Sequence, residues 1–217
     1  MDELRGARSL DEVIEYCGEA LRKEFGRTAS TIKLNLLVCR LLSKINPDFE
    51  VRPVITRAAV FSAPAPMLFH SDPAGEDSGN AVEMEGFSVR EIFTSVPEEM
   101  LGTLDENTGR FLGHPCILLW AKITSRLYFL DPAQISLAST ENGIEFDHLA
   151  IIEVDKDQKE VVIESDKGGM LLYWLHPEIA VPKLPAETLS KIDRCLTKLL
   201  DKLSPTNNRS MFRLIKK

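Results

Sequence analysis

The sequence feature that most constrains the fold is a segment that is apolar around nearly the whole circumference of a helix. Its apolar residues are Ile32, Leu34, Leu36, Leu37, Val38, Cys39, Leu41, Leu42 and Ile45. A helix that is apolar on every side is usually buried in the middle of a domain. The sequence therefore predicts a central buried helix over about residues 31–44, which Ser30 or Thr28 caps and Asn46-Pro47-Asp48 ends.

Two further helices are predicted, one before this segment and one at the end of the chain. The first covers residues 10–25. Ser9 and Glu12 form a capping box at its start, and Gly26 favours the left-handed backbone conformation that ends a helix. The last covers residues 185–203, where leucines recur on one stripe. Both are amphipathic, so each is expected to pack one face on the rest of the domain.

Apolar residues alternate with period two through much of the remaining chain, which is typical of β-strands. The predicted strands cover residues 54–61, 116–123, 127–131, 143–154, 160–164 and 170–175. Pro53 restricts pairing, so the first strand is predicted to be an edge strand or to begin near that residue. Turn compositions between later strands predict antiparallel hairpins.

The order of these elements is helices, then strands, then a closing helix, which is typical of the α+β class. We predict a central buried helix packed on an antiparallel sheet and closed by the C-terminal helix. The length of 217 residues fits a single domain, residues 1–217. The segment 62–109 begins with a stretch rich in proline, glycine and acidic residues, and is predicted as a long loop insertion.

Composition excludes several classes of function. No apolar run approaches the roughly 18 residues of a membrane span, and the first residues lack the core of a secretory signal. A net charge of −7 without a basic cluster argues against nucleic-acid binding. The four cysteines contain no CxxC pair, so zinc-ribbon and redox motifs are not expected. We therefore expect a reduced, cytoplasmic protein with no membrane or nucleic-acid partner.

A histidine and an aspartate mark the ends of two neighbouring predicted strands. His114 stands at the entrance of one strand, and Asp131 stands at the end of the next. In an antiparallel hairpin these two ends are adjacent, so the two side chains are predicted to lie level. The carboxylate would then fix the imidazole tautomer and free the other ring nitrogen as a base. The alternative is that Asp131 only turns the chain before Pro132.

A nucleophile would be favoured at the start of the buried helix, where the helix dipole stabilises an ionised group and where Ser30 and Thr31 stand. With His114 and Asp131, this pattern resembles the papain-like cysteine-protease superfamily, in its transglutaminase-like and arylamine N-acetyltransferase-like branch. Those proteins place a cysteine at the start of a central helix, then His and Asp on neighbouring antiparallel strands. Asn35 matches an asparagine found four residues after that cysteine in the N-acetyltransferase branch.

The resemblance covers about residues 28–61 and 110–135. It implies a papain-like, transglutaminase-like domain with triad positions at Thr31, His114 and Asp131. The chain departs from the family at Thr31, the position of the catalytic cysteine. Because an internal threonine has neither a low pKa nor an N-terminal amine to serve as its base, thiol chemistry at this position is expected to be lost.

Two cysteines are alternatives for the missing nucleophile. Cys39 lies inside the buried helix, where a thiol is neutral and inert. Cys116 is predicted to share a strand face with His114, which makes it a candidate nucleophile, although Pro115 disturbs the strand. A metal site built from His114, Cys116 and Asp131 lacks a fourth ligand and a familiar spacing, so neither a metal nor another cofactor is expected.

Three classes of function are open from the sequence. The hypothesis that we favour is a catalytically degenerate relative whose cleft binds a peptide, an acyl compound or a partner protein. The second is an active hydrolase or acyltransferase in which His114 and Asp131 activate Ser30 or Thr31. The third is a plain interaction domain with no cleft. Thr31 is the reason to favour the first hypothesis over the second.

Overall fold

The computed structural model describes residues 10–26, 29–62, 81–84, 87–91, 101–103, 112–134, 144, 146–165 and 169–203. Within these ranges the helices are α1 (Leu10–Phe25), α2 (Thr31–Ile45) and α3 (Ala186–Lys202). The strands are β1 (Phe49–Ser62), β2 (Ala81–Met84), β3 (Phe87–Glu91), β4 (His114–Ala121), β5 (Arg126–Leu130), β6 (Ile151–Val154), β7 (Glu160–Glu164) and β8 (Met170–His176). The predicted α+β class is confirmed. No helix in the described part of the chain is both long and apolar enough to cross a membrane.

The strands of the described chain form one antiparallel sheet. Six of them follow the order β6-β5-β4-β1-β8-β7, and the outer strands β6 and β7 contact each other, so this part of the sheet is nearly closed. The long strand β1 pairs with β4 along its first half and with β3 near its end. Along its other edge, β1 pairs with β8. β1 is therefore the strand that organises the sheet.

The position of β1 corrects the prediction made from Pro53. The strand begins at Phe49 and lies inside the sheet rather than at its edge. At Pro53 the strand is paired only with Ile117 of β4, and the ladder with β8 starts at Ile55. The missing amide hydrogen of the proline therefore interrupts no ladder on the β8 side, which is why an internal strand tolerates it.

Two predicted segments differ from the structure in their strand content. β2 and β3 form a hairpin within 62–109, where a long loop was expected, although residues 63–80, 85–86, 92–100 and 104–111 lie outside the described residues. Among the described residues of the predicted strand 143–154, which leave out 143 and 145, only β6 is a paired strand. The amides of Leu149 and Ala150 instead bond to the side chains of Asp11 and Gln134, which keeps them out of the ladder.

The predicted helix ends are mostly present. Gly26 has a φ of 56°, the left-handed conformation that ends a helix, and Asn46 caps the end of α2. Ser30 occupies the N-cap position of α2, but its side chain makes no capping hydrogen bond. The other two predicted capping residues, Ser9 and Thr28, lie outside the described residues.

Buried side chains form two clusters on the two faces of the sheet. The helix-side core joins α1, α2 and α3 to the sheet and includes Val13, Leu37, Leu41, Ile117, Leu130, Ile192 and Leu199. The inner core lies on the opposite face and includes Val54, Ala58, Cys116, Leu118, Phe129, Leu171 and Tyr173. Because strand side chains alternate between faces, Ile117 belongs to the first core and its neighbours to the second. α2 packs on the sheet, and seven of its fifteen residues are buried.

Truncation of a β4 side chain tests the helix-side core. We expect Ile117→Ala to lower the free energy of unfolding by about 2–5 kcal/mol, because Ile117 is 0% exposed and the truncation leaves a cavity. Urea denaturation followed by circular dichroism measures this loss. The matched control is Ile123→Ala in the turn after β4, where Ile123 is 78% exposed and the change is expected to be under about 0.5 kcal/mol. Equal losses in the two variants would contradict the assignment of Ile117 to the core.

Candidate functional site

A buried hydrogen bond joins the predicted histidine and aspartate. His114 Nε2 and Asp131 Oδ2 are 2.8 Å apart, and the side chains are 3% and 0% exposed. An ionised carboxylate only accepts hydrogen bonds, so Nε2 donates to Asp131. The orientation leaves Nδ1 as the ring nitrogen that faces any further polar group. The predicted contact between the two side chains is therefore present.

The two residues are not level with each other, in contrast to the hairpin prediction. Ile117 pairs with Leu130, so Cys116 is level with Asp131. His114 lies two residues before Cys116, at the start of β4. The turn over residues 122–125 sets this register. The hydrogen bond is therefore a diagonal contact between neighbouring strands, which long side chains on one sheet face can span.

The Asp131 carboxylate is held by donors from three parts of the chain. His114 Nε2 and the Tyr173 hydroxyl both donate to Oδ2, the latter at 2.9 Å, and the Ala133 amide donates to Oδ1 at 2.8 Å. The Gln134 amide also donates to the Asp131 carbonyl at 3.0 Å, which closes a turn. Asp131 thus both turns the chain and bonds the histidine. The two interpretations of Asp131 from the sequence, as a partner of the histidine and as a turn residue, are therefore compatible.

The entrance of β4 is fixed by a close backbone approach to β1. Gly113 has a φ of 113°, in the region that favours glycine, and a Cβ atom there would lie 2.9 Å from Ile55 Cγ2. Thr56 pairs with His114, and its hydroxyl donates to the His114 carbonyl at 2.9 Å. These two contacts determine where β4 begins and so where the imidazole is presented.

Cys116 completes a buried group of polar side chains. Its Sγ atom is 3.5 Å from Thr56 Oγ1, and it lies within 4.8 Å of a His114 ring nitrogen and an Asp131 carboxylate oxygen. Burial, and then the charge of Asp131, raise the pKa of the Cys116 thiol well above its ordinary value of 9.0, while the Thr56 contact lowers it. The thiol is therefore neutral at pH 7. We call Thr56, His114, Cys116, Asp131 and Tyr173 the polar cluster.

The other predicted site residues lie at the start of α2. Ser30 is exposed, and Thr31 is half-buried as the first helical residue. Asn35 is fully buried and donates from Nδ2 to the Thr31 carbonyl at 3.0 Å, whereas its Oδ1 has no hydrogen-bond partner among the described residues. No hydrogen bond between described residues joins Ser30 or Thr31 to the polar cluster. The cluster belongs to the inner core, while α2 packs on the helix-side face.

A groove of about 460 Å³ lies between α1, the start of α2 and the turn after Asp131. Its apolar lining comes from Ile14, Leu34, Pro132 and Leu149, and its charged lining comes from Asp11, Glu12, Glu15 and Arg22. Carboxylates therefore outnumber cations at its rim. We call this feature the α1 groove. It places Leu34, at the start of α2, near Pro132, which directly follows the aspartate.

Three buried polar residues near the site were not identified from the sequence. Thr56 and Tyr173 lie in predicted strands, where alternation indicates the face of a side chain but not its partner. Gln134 is fully buried, and its Oε1 accepts from the Ala150 amide at 2.9 Å. The available signal is a polar residue on the apolar face of a strand, since such a group needs a buried hydrogen-bond partner.

Comparisons with known proteins identify no relative of this chain. Neither protein-family models, nor curated proteins, nor solved structures give a significant match to the chain. The chemistry of the site is therefore inferred from its own contacts and burial.

Removal of one hydroxyl tests how far the polar cluster depends on Tyr173. Burial, and then the charge of Asp131, raise the pKa of Tyr173 well above its ordinary value of 10.0, so the hydroxyl remains a donor. We expect Tyr173→Phe to lower the free energy of unfolding by about 1.5–3 kcal/mol, the range for a hydrogen bond to a charged group. Urea denaturation provides the measurement.

The matched control is Tyr128→Phe. Tyr128 is also buried, but in the helix-side core, and its hydroxyl makes no hydrogen bond to the described residues. We expect this variant to change stability by less than about 0.5 kcal/mol. A Tyr173→Phe variant as stable as Tyr128→Phe would show that the bond to Asp131 contributes little.

Proposed function

We propose that the chain is a catalytically degenerate domain of papain-like, transglutaminase-like descent that binds a basic, partly apolar peptide segment of a partner protein. The observation that carries this proposal is the sealed His–Asp pair: His114 is 3% exposed and Asp131 is 0% exposed. A general base must reach the proton that it removes from a substrate or nucleophile. A pair enclosed on all sides by protein does not meet that requirement in this conformation.

The proposed descent is supported by the arrangement of the central elements. A buried helix packs on an antiparallel sheet, and His and Asp approach each other from adjoining strands. The resemblance in sequence implies these elements, but it also implies contact between the helix start and the His–Asp pair, which lies on the sheet face opposite α2. Because one fold supports many functions, the fold supports the descent and not the activity.

The loss of acyl transfer is supported by the state of each possible nucleophile. Thr31 and Ser30 make no hydrogen bond to His114, so the described contacts provide no base for either hydroxyl. Cys116 is close to His114, but it is fully buried and its pKa is raised, so little thiolate forms at pH 7. The pair His114–Asp131 then acts as a structural link between β4 and the turn after β5.

The binding activity is assigned to the α1 groove because of its position and charge. Leu34 and Pro132 place the groove beside the start of α2 and the turn after Asp131, although Thr31, His114 and Asp131 do not line it. The apolar part of the lining suits aliphatic side chains, and the excess of carboxylates suits lysine or arginine side chains. A segment with both residue types is therefore the expected occupant.

Chemical labelling tests the absence of catalysis. We expect iodoacetamide and a fluorophosphonate probe to leave the native protein unlabelled, because all four cysteines are buried and the described contacts give neither Ser30 nor Thr31 a base. Mass spectrometry of peptides locates any adduct. The unfolded protein is the positive control and should be alkylated at four cysteines.

Hydrolysis of p-nitrophenyl acetate gives the matching kinetic measurement. The native protein and its Ser30→Ala and Thr31→Ala variants are expected to show the same background rate. Labelling of Ser30, Thr31 or Cys116 in the native state would contradict the proposal. So would a rate that falls in one of these variants.

Peptide binding tests the assignment of the α1 groove. The probe is a fluorescent peptide of alternating leucine and arginine, and fluorescence polarisation measures its dissociation constant. We expect Glu15→Lys to weaken binding about three- to tenfold, since reversal of one rim charge replaces an attraction with a repulsion. Added salt should weaken wild-type binding because it screens exposed charges.

The matched control for this experiment is Glu160→Lys, which reverses an exposed carboxylate on β7 outside the groove. It should leave the affinity unchanged. A peptide in which aspartate replaces arginine should bind much more weakly. Equal effects of the two charge reversals, or equal binding of the acidic peptide, would reject the groove as a site for basic peptides.

A further inference from the structure

Three potential metal ligands converge in the inner core. A ring nitrogen of His114, Cys116 Sγ and a carboxylate oxygen of Asp131 lie within 4.8 Å of one another, and all three side chains are buried. The register of the β4–β5 hairpin brings them together, because Cys116 is level with Asp131 and His114 is its diagonal neighbour. Imidazole nitrogen, thiolate sulfur and carboxylate oxygen are all ligands that zinc accepts.

The charges of this trio also favour a divalent cation. Asp131 is 0% exposed, and within the described chain no lysine or arginine is paired with it. A buried carboxylate is costly unless its charge is compensated. A divalent ion held by one carboxylate, one thiolate and one neutral imidazole forms a site with zero net charge. Such a site suits apolar surroundings such as the inner core.

We propose that His114, Cys116 and Asp131 bind one Zn²⁺ ion. The thiolate favours zinc over magnesium or calcium, which prefer oxygen ligands. Zinc–ligand bonds of about 2.0–2.3 Å place neighbouring ligand atoms of a tetrahedral site about 3.2–3.6 Å apart. The contact of 2.8 Å between His114 and Asp131 therefore has to widen slightly. The separations that involve the sulfur, which are at most 4.8 Å, have to shorten by up to about 1.2 Å to reach tetrahedral spacing.

The other two residues of the polar cluster and one backbone amide orient these ligands. The Tyr173 hydroxyl and the Ala133 amide each hold one Asp131 oxygen, and the Thr56 hydroxyl lies 3.5 Å from Cys116 Sγ. Hydrogen bonds of this kind orient ligands and raise metal affinity. With three protein ligands, the fourth position is left for water or another exogenous donor.

Zinc binding changes the protonation of two ligands. The Cys116 thiol loses its proton to solvent when the Sγ–Zn bond forms. If Nε2 is the ligand, the hydrogen that it donates to Asp131 is exchanged for one on Nδ1, so the imidazole stays neutral. One proton, that of the thiol, is therefore released for each ion bound. None of these steps requires the α1 groove to bind a peptide, so the zinc site stands independently of the proposed function.

Metal content and cobalt spectroscopy test the zinc site in the full chain. The protein is unfolded with chelator, refolded with Zn²⁺ and separated from free metal. We expect one zinc ion per chain by elemental analysis and a higher unfolding temperature than without metal. Refolding with Co²⁺ should give a near-ultraviolet charge-transfer band that requires a thiolate ligand. Wild-type protein without bound zinc and without that band would overturn the proposal.

Variants identify the ligands. Cys116→Ser should abolish the cobalt band and stoichiometric zinc, whereas Cys39→Ser, which changes a buried thiol on α2 outside the trio, should keep both. Tyr173→Phe keeps all three ligands and should lower zinc affinity by roughly tenfold with the band retained. A band that Cys39→Ser removes, or that Cys116→Ser retains, would reject the assignment. If Cys116→Ser does not fold, wild-type and Tyr173→Phe measurements still decide the question.

Discussion

The structure depends most on how the buried carboxylate of Asp131 is satisfied. Its two oxygens accept hydrogen bonds from His114 on β4, Tyr173 on β8 and the amide of Ala133 in its own turn. These donors come from both sides of β1, the strand that links the two halves of the sheet. A buried acceptor that loses one donor bears the desolvation cost without compensation, so the three segments are coupled through one group.

The sequence predicted the helices well because their signals are local. Amphipathic spacing and the glycine at residue 26 located α1, and the continuous apolar composition located α2. The proximity of His114 and Asp131 also followed from the sequence, since a short hairpin joins their strands. Their register did not, because it depends on the residues that form the turn, and a shift there exchanges the partners along both strands.

Other features of the site were not predictable, because they depend on contacts between distant parts of the chain. Tyr173 reaches Asp131 only because β1 brings β8 and β4 into one sheet. The sequence predicted that Cys116 shares a strand face with His114, but the convergence of both with Asp131 depends on the hairpin register, which sequence spacing does not reveal. The internal position of Pro53 requires that β8 begin its pairing two residues later. These are tertiary outcomes that local propensity does not determine.

Burial of the polar cluster has opposite consequences for two kinds of chemistry. A nucleophile must meet a substrate, and Cys116 at 0% exposure with a raised pKa is both inaccessible and protonated. A metal ion needs no such access once it is bound, and its charge stabilises the thiolate that burial otherwise disfavours. An aspartate that pairs with no lysine or arginine among the described residues adds to that preference. The same enclosure that argues against acyl transfer therefore favours a bound cation.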